Sequence, residues 1–345
     1  MAFCKSTTAA LALVCIAAAA SAQTPPAART TTLEAVKARG QLVCGVNSAL
    51  PGFSAPDAQG VWRGLDVDLC RAIAAAVLGD PAKARFVPTT SQQRFVALQS
   101  GEIDVLTRNA TQTLLRDTTL ALHMAGVNFY DGQGFITRRS MNVTSAKQLG
   151  GATVCVQPGT TTELNLTDFF RLNNIRFQPV VIERLEENIA AYEAGRCDVY
   201  TTDASGLASI RTSLSNPADH VILPERISKE PLGPMVRKGD DQWFAVVKWT
   251  LAALIEAEEY GLTQANVDEQ LKSPNPGIQR MLGVTPVFGK ALGLDEKWAY
   301  NAIKAVGNYG ESFERNVGTK TPLGLERGIN DLWTRGGLMY ALPLR

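Results

Sequence analysis

Arg94-Phe-Val-Ala-Leu-Gln-Ser-Gly-Glu-Ile-Asp-Val-Leu106 and Leu185-Glu-Glu-Asn-Ile-Ala-Ala-Tyr-Glu-Ala-Gly-Arg-Cys-Asp-Val-Tyr200 follow one plan. Each is an amphipathic helix, a glycine that stops it, and then a short apolar strand. A polar cluster follows each strand: Arg108-Asn109-Ala110-Thr111 in the first copy, Thr201-Thr202-Asp203 in the second. In open α/β sheets, ligands bind outside the carboxyl ends of the strands. Two similar halves, each ending a strand in polar groups, point to one site in a cleft between them.

Outward from these segments, short apolar runs alternate with amphipathic ones. Strands are expected at 41–47, 84–88, 103–107, 126–137, 152–157, 178–183, 198–202 and 220–223. Helices are expected at 33–38, 66–78, 91–100, 161–172, 186–195, 204–212 and 241–260. This alternation predicts an α/β protein with largely parallel sheets. From Pro274 the pattern turns helical and glycine-punctuated, a packed appendix with Trp298, Tyr300, Tyr309 and Trp333 as its anchors. Gly132-Gln-Gly134 does not continue into a dinucleotide fingerprint, and no cofactor is expected. The 345 residues suit about two domains, and 34 basic against 33 acidic residues leave no footprint for nucleic acid or an anionic membrane.

The N-terminus has Lys5, an apolar run from about Ala9 to Ala20, and Ala20-Ser21-Ala22, the layout of a secretory signal cleaved after Ala22. A membrane anchor is the alternative, but a spanning helix needs roughly 20 apolar residues. Leu13-Val14 before Cys15 do not fit lipidation. Cleavage would leave 323 residues with balanced charge and four cysteines: Cys44, Cys70, Cys155 and Cys197. No C-x-x-C is present, so zinc or thioredoxin-like chemistry is not indicated and no metal is expected. An oxidising compartment favours two bridges. Spacing allows three pairings. Cys44–Cys70 and Cys155–Cys197 keep each bridge within one region of the chain, with four buried thiols as the alternative.

Arg116 closes the segment Asn109-Ala-Thr-Gln-Thr-Leu-Leu-Arg116. A guanidinium near hydroxyl and amide groups suits a carboxylate, to which it makes two parallel charged bonds. Gly159-Thr160-Thr161 follows a strand and opens a helix, so it is either an anion site or a helix cap. Asp203 likewise either caps a helix or receives an ammonium group. Taken together, these residues describe a clamp for a zwitterion. His123 and His220 stand in no nucleophile or metal motif, and Glu163 and Glu230 read as helix-end and loop charges.

These stretches resemble a known family. Gly64-Leu-Asp-Val-Asp-Leu-Cys70, Gln99-Ser-Gly-Glu-Ile-Asp104, Gly159-Thr-Thr-Thr-Glu163 and Gly195-Arg-Cys-Asp-Val-Tyr-Thr-Thr-Asp203 are similar to solute-binding family 3. Ile227-Ser-Lys-Glu-Pro-Leu-Gly-Pro234 and Val306-Gly-Asn-Tyr-Gly-Glu311 extend the likeness, which runs from about Leu33 to Arg345. Family members are the periplasmic substrate-binding proteins of polar amino acid ABC transporters, and this chain looks most like the general L-amino acid-binding subgroup. The resemblance implies a type II periplasmic binding fold, two α/β lobes joined by two hinge strands. Lobe 1 would be 33–132 and 233–345, lobe 2 137–228, and the hinges near 132–136 and 229–233.

By the same resemblance, Arg116 grips a ligand α-carboxylate, Thr161 contacts it with Thr160 alongside, and Asp203 receives the α-ammonium. Asn109 and Thr111 hold both groups, and Phe53 lies near the side-chain pocket. Leu50 stands where basic-amino-acid binders often carry an aromatic, and Ser91 replaces a second one, which suits broad specificity. The implied partners are a free L-amino acid and an inner-membrane permease, with the protein a periplasmic monomer and not an enzyme. An exported cyclohexadienyl dehydratase on the same lobes is the enzymatic alternative. A sensor module is another, but no membrane segment or signalling domain follows.

Overall fold

The structure, a computed structural model, describes residues 1–3 and 30–345. The expected export signal and its cleavage after Ala22 lie outside the described residues.

Leu42–Val46 is buried along its whole length, as expected of a central strand covered on both faces. It pairs in parallel with Ala84–Pro88 on one side and Val105–Leu106 on the other. Met235–Arg237 then adds antiparallel to Val105–Leu106, and Leu122–Met124 forms the edge. The second sheet repeats this layout around Thr153–Val156. Gln178–Val181 and Val199–Asp203 flank it in parallel, Gln133–Arg138 runs antiparallel beside Val199–Asp203, and His220–Ile222 is the edge.

In each five-stranded sheet four strands run one way and only the inserted strand, fourth in order, runs back. That strand arrives from the other half of the chain and so enters where the parallel strands end: Asp203 pairs with Gln133, and Leu106 with Met235. The expectation of largely parallel sheets holds, with this exception.

Two short strands cross between the halves, Phe129–Asp131 and Glu230–Leu232, paired antiparallel. The stretch 126–137, expected as one strand, is divided at Gly132. There a β-carbon would come within 2.8 Å of the Ser228 carbonyl, so the chain turns where only glycine fits. The first crossing therefore precedes 132–136, which belongs mostly to the second sheet.

The helix Leu65–Leu78 buries Val67, Cys70, Ile73 and Ala74 as one stripe. It starts at Gly64 (φ 131°), where a β-carbon would stand 2.0 Å from the Phe53 carbonyl oxygen. Cys44–Cys70 ties this helix to the central strand of the first sheet, and Cys155–Cys197 braces the second; these are the pairings favoured on sequence. The long helix Asp241–Glu259 and the helix Trp298–Val306 pack onto Leu65–Leu78. The segment after Pro274 is thus built into the first half.

Trp298 and Tyr309 are buried anchors there. Tyr300 is half-buried, its hydroxyl donating to Asp268 at 2.7 Å. Trp333 is not buried: it is 49% exposed, tilts over Tyr340 and donates to Glu259. The tail is fastened by the buried Leu332 and Met339 and by charge: Arg327 reaches Glu258 through two bonds of 3.1 Å and Arg335 joins the same carboxylate at 3.2 Å. Among the described residues no helix is long and apolar enough to cross a membrane.

Candidate functional site

Both polar clusters emerge from strand ends on the side where the two sheets face one another. Val105–Leu106 leads into Arg108, Asn109 and Thr111, and Val199–Asp203 ends on Asp203. Hydrogen bonds join them across the cleft. Asn109 Nδ2 donates to Asp203 Oδ2 at 3.2 Å, while Asn109 Oδ1 accepts from Asn47 Nδ2 at 3.3 Å. Thr111 Oγ1 lies 3.5 Å from Thr161 Oγ1.

Both hydroxyls donate to the same oxygen, Glu230 Oε2, at 2.5 and 3.0 Å. Asn165 Nδ2 and Ser228 Oγ donate to its other oxygen at 2.8 and 2.6 Å. Glu230 is 2% exposed, so the expectation of a loop charge is corrected. It sits on the second crossing strand and ties groups from both halves. Glu163, by contrast, is a helix-end charge as expected: its carboxylate accepts from the Gly159 amide at 3.0 Å.

Arg116 lies in the short helix Leu114–Thr118, whose cap Thr113 accepts from the Arg116 amide at 3.2 Å. Its guanidinium donates to the Thr111 carbonyl at 2.7 Å and lies over the Phe95 ring at 4.8 Å. Burial lowers its pKa, against the opposing pull of Glu230 and Asp203. Asp203 opens the helix Ala204–Ser213 but makes no capping bond with its side chain, which leaves the carboxylate directed elsewhere. Burial, and then the charges of Asp131 and Glu230, push its pKa up to about 8. A buried carboxyl so placed gains from a cation brought beside it.

Two expected residues take other places. Thr160 caps the helix Thr161–Leu172, accepting from the Glu163 amide at 3.2 Å and donating to the Gln157 carbonyl at 2.8 Å. Phe53 is 2% exposed and packs edge-on against Phe129 at 5.3 Å, inside the first half's core. Leu50 is the nearby residue that reaches across, since a β-carbon on Gly206 would stand 4.0 Å from its Cδ1.

Arg94 and Arg108 carry no individual functional signal in the sequence. Both are 3% exposed beside this cluster, and their order along the chain carries no signal of that burial. His220 bonds Tyr192 and His123 lies tilted against Phe244, both away from the cleft. Among the described residues, no group of three or more His, Cys, Asp or Glu is placed to hold a metal.

Two lobes with matching sheets, joined by two crossing strands and facing each other through buried charges, define a protein that encloses a small polar ligand. The sequence model of the bacterial extracellular solute-binding proteins, family 3, matches residues 42–266, and the chain belongs to that family. The general L-amino acid-binding periplasmic protein AapJ of Rhizobium johnstonii is 59% identical over 332 residues, 96% of this chain and 97% of its own. The glutamate/glutamine/aspartate/asparagine-binding protein BztA of Rhodobacter capsulatus is 58% identical over 320 residues, 92% and 95% of the two chains. A periplasmic binding protein of an ABC transporter from Brucella ovis, solved with glutathione bound, superposes with a TM-score of 0.89 at 56% identity. That match covers 91% of this chain and 99% of the other.

Proposed function

We propose that the protein binds L-amino acids of broad range in the periplasm and delivers them to an ABC permease, closing its lobes around the ligand's zwitterion. The observation that carries this reading is the pairing of Arg116 with Asp203. Each is a buried ionisable group without an ion-pair partner among the described residues, and they come from opposite lobes. Arg116, Asn109, Thr111 and Thr161 would hold the α-carboxylate side, and Asp203 the α-ammonium. Thr160 supports the site by fixing the helix start, and Phe53 by shaping the wall behind Leu50. Lobe 1 comprises about 33–128 and 233–345 and lobe 2 about 133–228, with the crossing strands Phe129–Asp131 and Glu230–Leu232 acting as the hinge.

Export with cleavage after Ala22 supplies a monomer to the permease. The relatives' names, amino-acid-binding proteins at 58–59% identity, favour binding over turnover. A dehydratase would consume prephenate or arogenate, and the protein is expected to leave both intact. A thermal-shift screen of the free amino acids, followed by calorimetry on the hits, tests the reading. Glutathione belongs in that screen, because its γ-glutamyl end is itself an α-amino acid zwitterion and the Brucella relative holds it. Stabilisation by none of these compounds would overturn the proposal.

A further inference from the structure

The family's sequence model ends at residue 266, and three side chains from beyond it grip one short segment between the lobes. The Tyr309 hydroxyl donates to the Asn128 carbonyl at 2.9 Å. Phe313 stacks on Phe129, with ring centroids 6.0 Å apart and ring planes within 6° of each other. Asn330 bonds Tyr130 twice: its Oδ1 accepts from the Tyr130 amide at 2.7 Å, and its Nδ2 donates to the Tyr130 carbonyl at 2.9 Å. That is the pair of bonds a neighbouring strand would make, here supplied by one side chain. Tyr309, Phe313 and Asn330 are all buried.

The segment they hold is the first crossing strand, Phe129–Asp131, with the residue before it. In register Tyr130 stands opposite Pro231, which has no amide hydrogen and gives its carbonyl to the Gln112 amide at 3.0 Å instead. A ribbon of two three-residue strands has little stability of its own, and Asn330 covers the edge that the second crossing leaves open. Asn330 is held in turn by Arg327, whose Nε donates to its carbonyl at 3.0 Å. The same guanidinium forks onto Glu258 and lies over the Tyr309 and Phe313 rings at 5.2 and 4.9 Å. Immediately after Tyr130 the bonds change sides. The Asp131 carboxylate accepts from the Gly132 amide at 2.8 Å and from the Ser205 amide of the second lobe at 3.2 Å.

Resting on the reading that the lobes close around a ligand, we infer that the segment beyond residue 266 is a clamp on the hinge, fixing 128–130 to the first lobe and confining the bend of the first crossing to Asp131 and Gly132. Asn330 and Tyr309 are positioning residues: they bond the crossing backbone and act on the ligand only through it. A crossing strand that is ordered in both the open and the closed form leaves closure less backbone freedom to remove. More of the ligand's differential affinity for the two forms then appears as binding.

Hydrogen exchange, calorimetry and stopped-flow release on the purified protein test this, comparing wild type with Asn330→Ala and Tyr309→Phe and using L-glutamate, L-glutamine and L-leucine as probes. In the wild type the amides of 129 and 130 should exchange slowly with or without ligand. In Asn330→Ala the Tyr130 amide should exchange at least about tenfold faster without ligand, and regain protection when ligand closes the lobes. Affinity for every amino acid that binds should fall by about three- to tenfold, through faster release and without regard to side chain. Tyr309→Phe keeps the ring beneath Arg327 and loses only the hydroxyl, so it should show the same pattern at smaller size. Melting curves separate this from a merely structural role. A lowered melting temperature with unchanged affinity and release in both variants would overturn the inference and leave the zwitterion reading standing. Exchange in Asn330→Ala that ligand does not slow would overturn it equally. A wild type that binds no amino acid would remove both.

Discussion

Asp203 stands at the first turn of a helix without capping it, and this leaves its charge for something else to match. Its carboxyl titrates near 8 where 3.8 is ordinary, so the folded, unliganded protein holds that proton through neutral pH. The unfolded chain has already released it, and this group therefore costs stability progressively as pH rises from about 4 to about 8. An ammonium beside Asp203 favours the ionised form, so ligand binding at pH 6–7 expels a proton. Affinity should then climb by up to about tenfold per pH unit towards pH 8 and level off above it. Calorimetry in two buffers of different ionisation enthalpy measures the proton released; a flat profile would exclude Asp203 as the ammonium partner. Arg116→Ala should weaken binding of every amino acid by about 2–5 kcal/mol, because it strands the ligand carboxylate in a buried site. Near-wild-type affinity would refute that role. Asn109, Thr111 and Asp203 stand out in the sequence as polar groups just past strands and Arg116 as the arginine closing the segment that begins at Asn109, and the structure brings these four to one cleft. Glu230 does not stand out, since a carboxylate on a three-residue crossing strand has no local pattern to separate it from a loop charge. Arg94 was hidden because its helix places it beside Phe95 and opposite the exposed Val96, and its burial depends on a contact distant along the chain, with the Asn109 carbonyl of the first polar cluster.

At the scale of elements, the central strands Leu42–Val46 and Thr153–Val156 were readable as apolar runs because helices cover both their faces. Leu122–Met124 and Met235–Arg237 were not, because three residues carry no period and their place in the sheet is set by long-range pairing. The bridges reinforce these same central strands. Cys44–Cys70 closes a separation of 26 residues and Cys155–Cys197 one of 42. On the chain-entropy account each contributes about 3–4 kcal/mol by restricting the unfolded chain. Replacing either pair with serines should lower the guanidinium unfolding midpoint accordingly. Amino-acid affinity should stay within about threefold of wild type, because neither bridge reaches the cleft. A midpoint unchanged by removal of Cys155–Cys197 would show that the second lobe does not depend on its brace.

For the whole molecule, the decisive equilibrium is between open and closed lobes, and a ligand shifts it only by the difference in its affinity for the two. The described structure has direct bonds between the lobes besides those at the charge cluster. Ser48 donates to Glu186 at 2.6 Å, Thr90 to Glu183 at 2.7 Å, and Ser209 to the Pro51 carbonyl at 2.7 Å. Ser209 is fully buried and touches none of the charged groups assigned to the ligand, so it isolates closure from recognition. Ser209→Ala removes a bond that exists only when the lobes meet, and leaves the Pro51 carbonyl unpaired in that state alone. The closed form should lose about 0.5–1.5 kcal/mol, the usual net worth of such a bond. Because closure and binding are linked, ligand affinity should fall by about two- to tenfold, through faster release. Thermal unfolding of the ligand-free protein should hardly move, since its lobes are then apart. Stopped-flow release rates together with ligand-free melting curves read both quantities. A lowered melting temperature with unchanged release would mean that the bond belongs to the resting fold and that the lobes already stand closed before the ligand arrives.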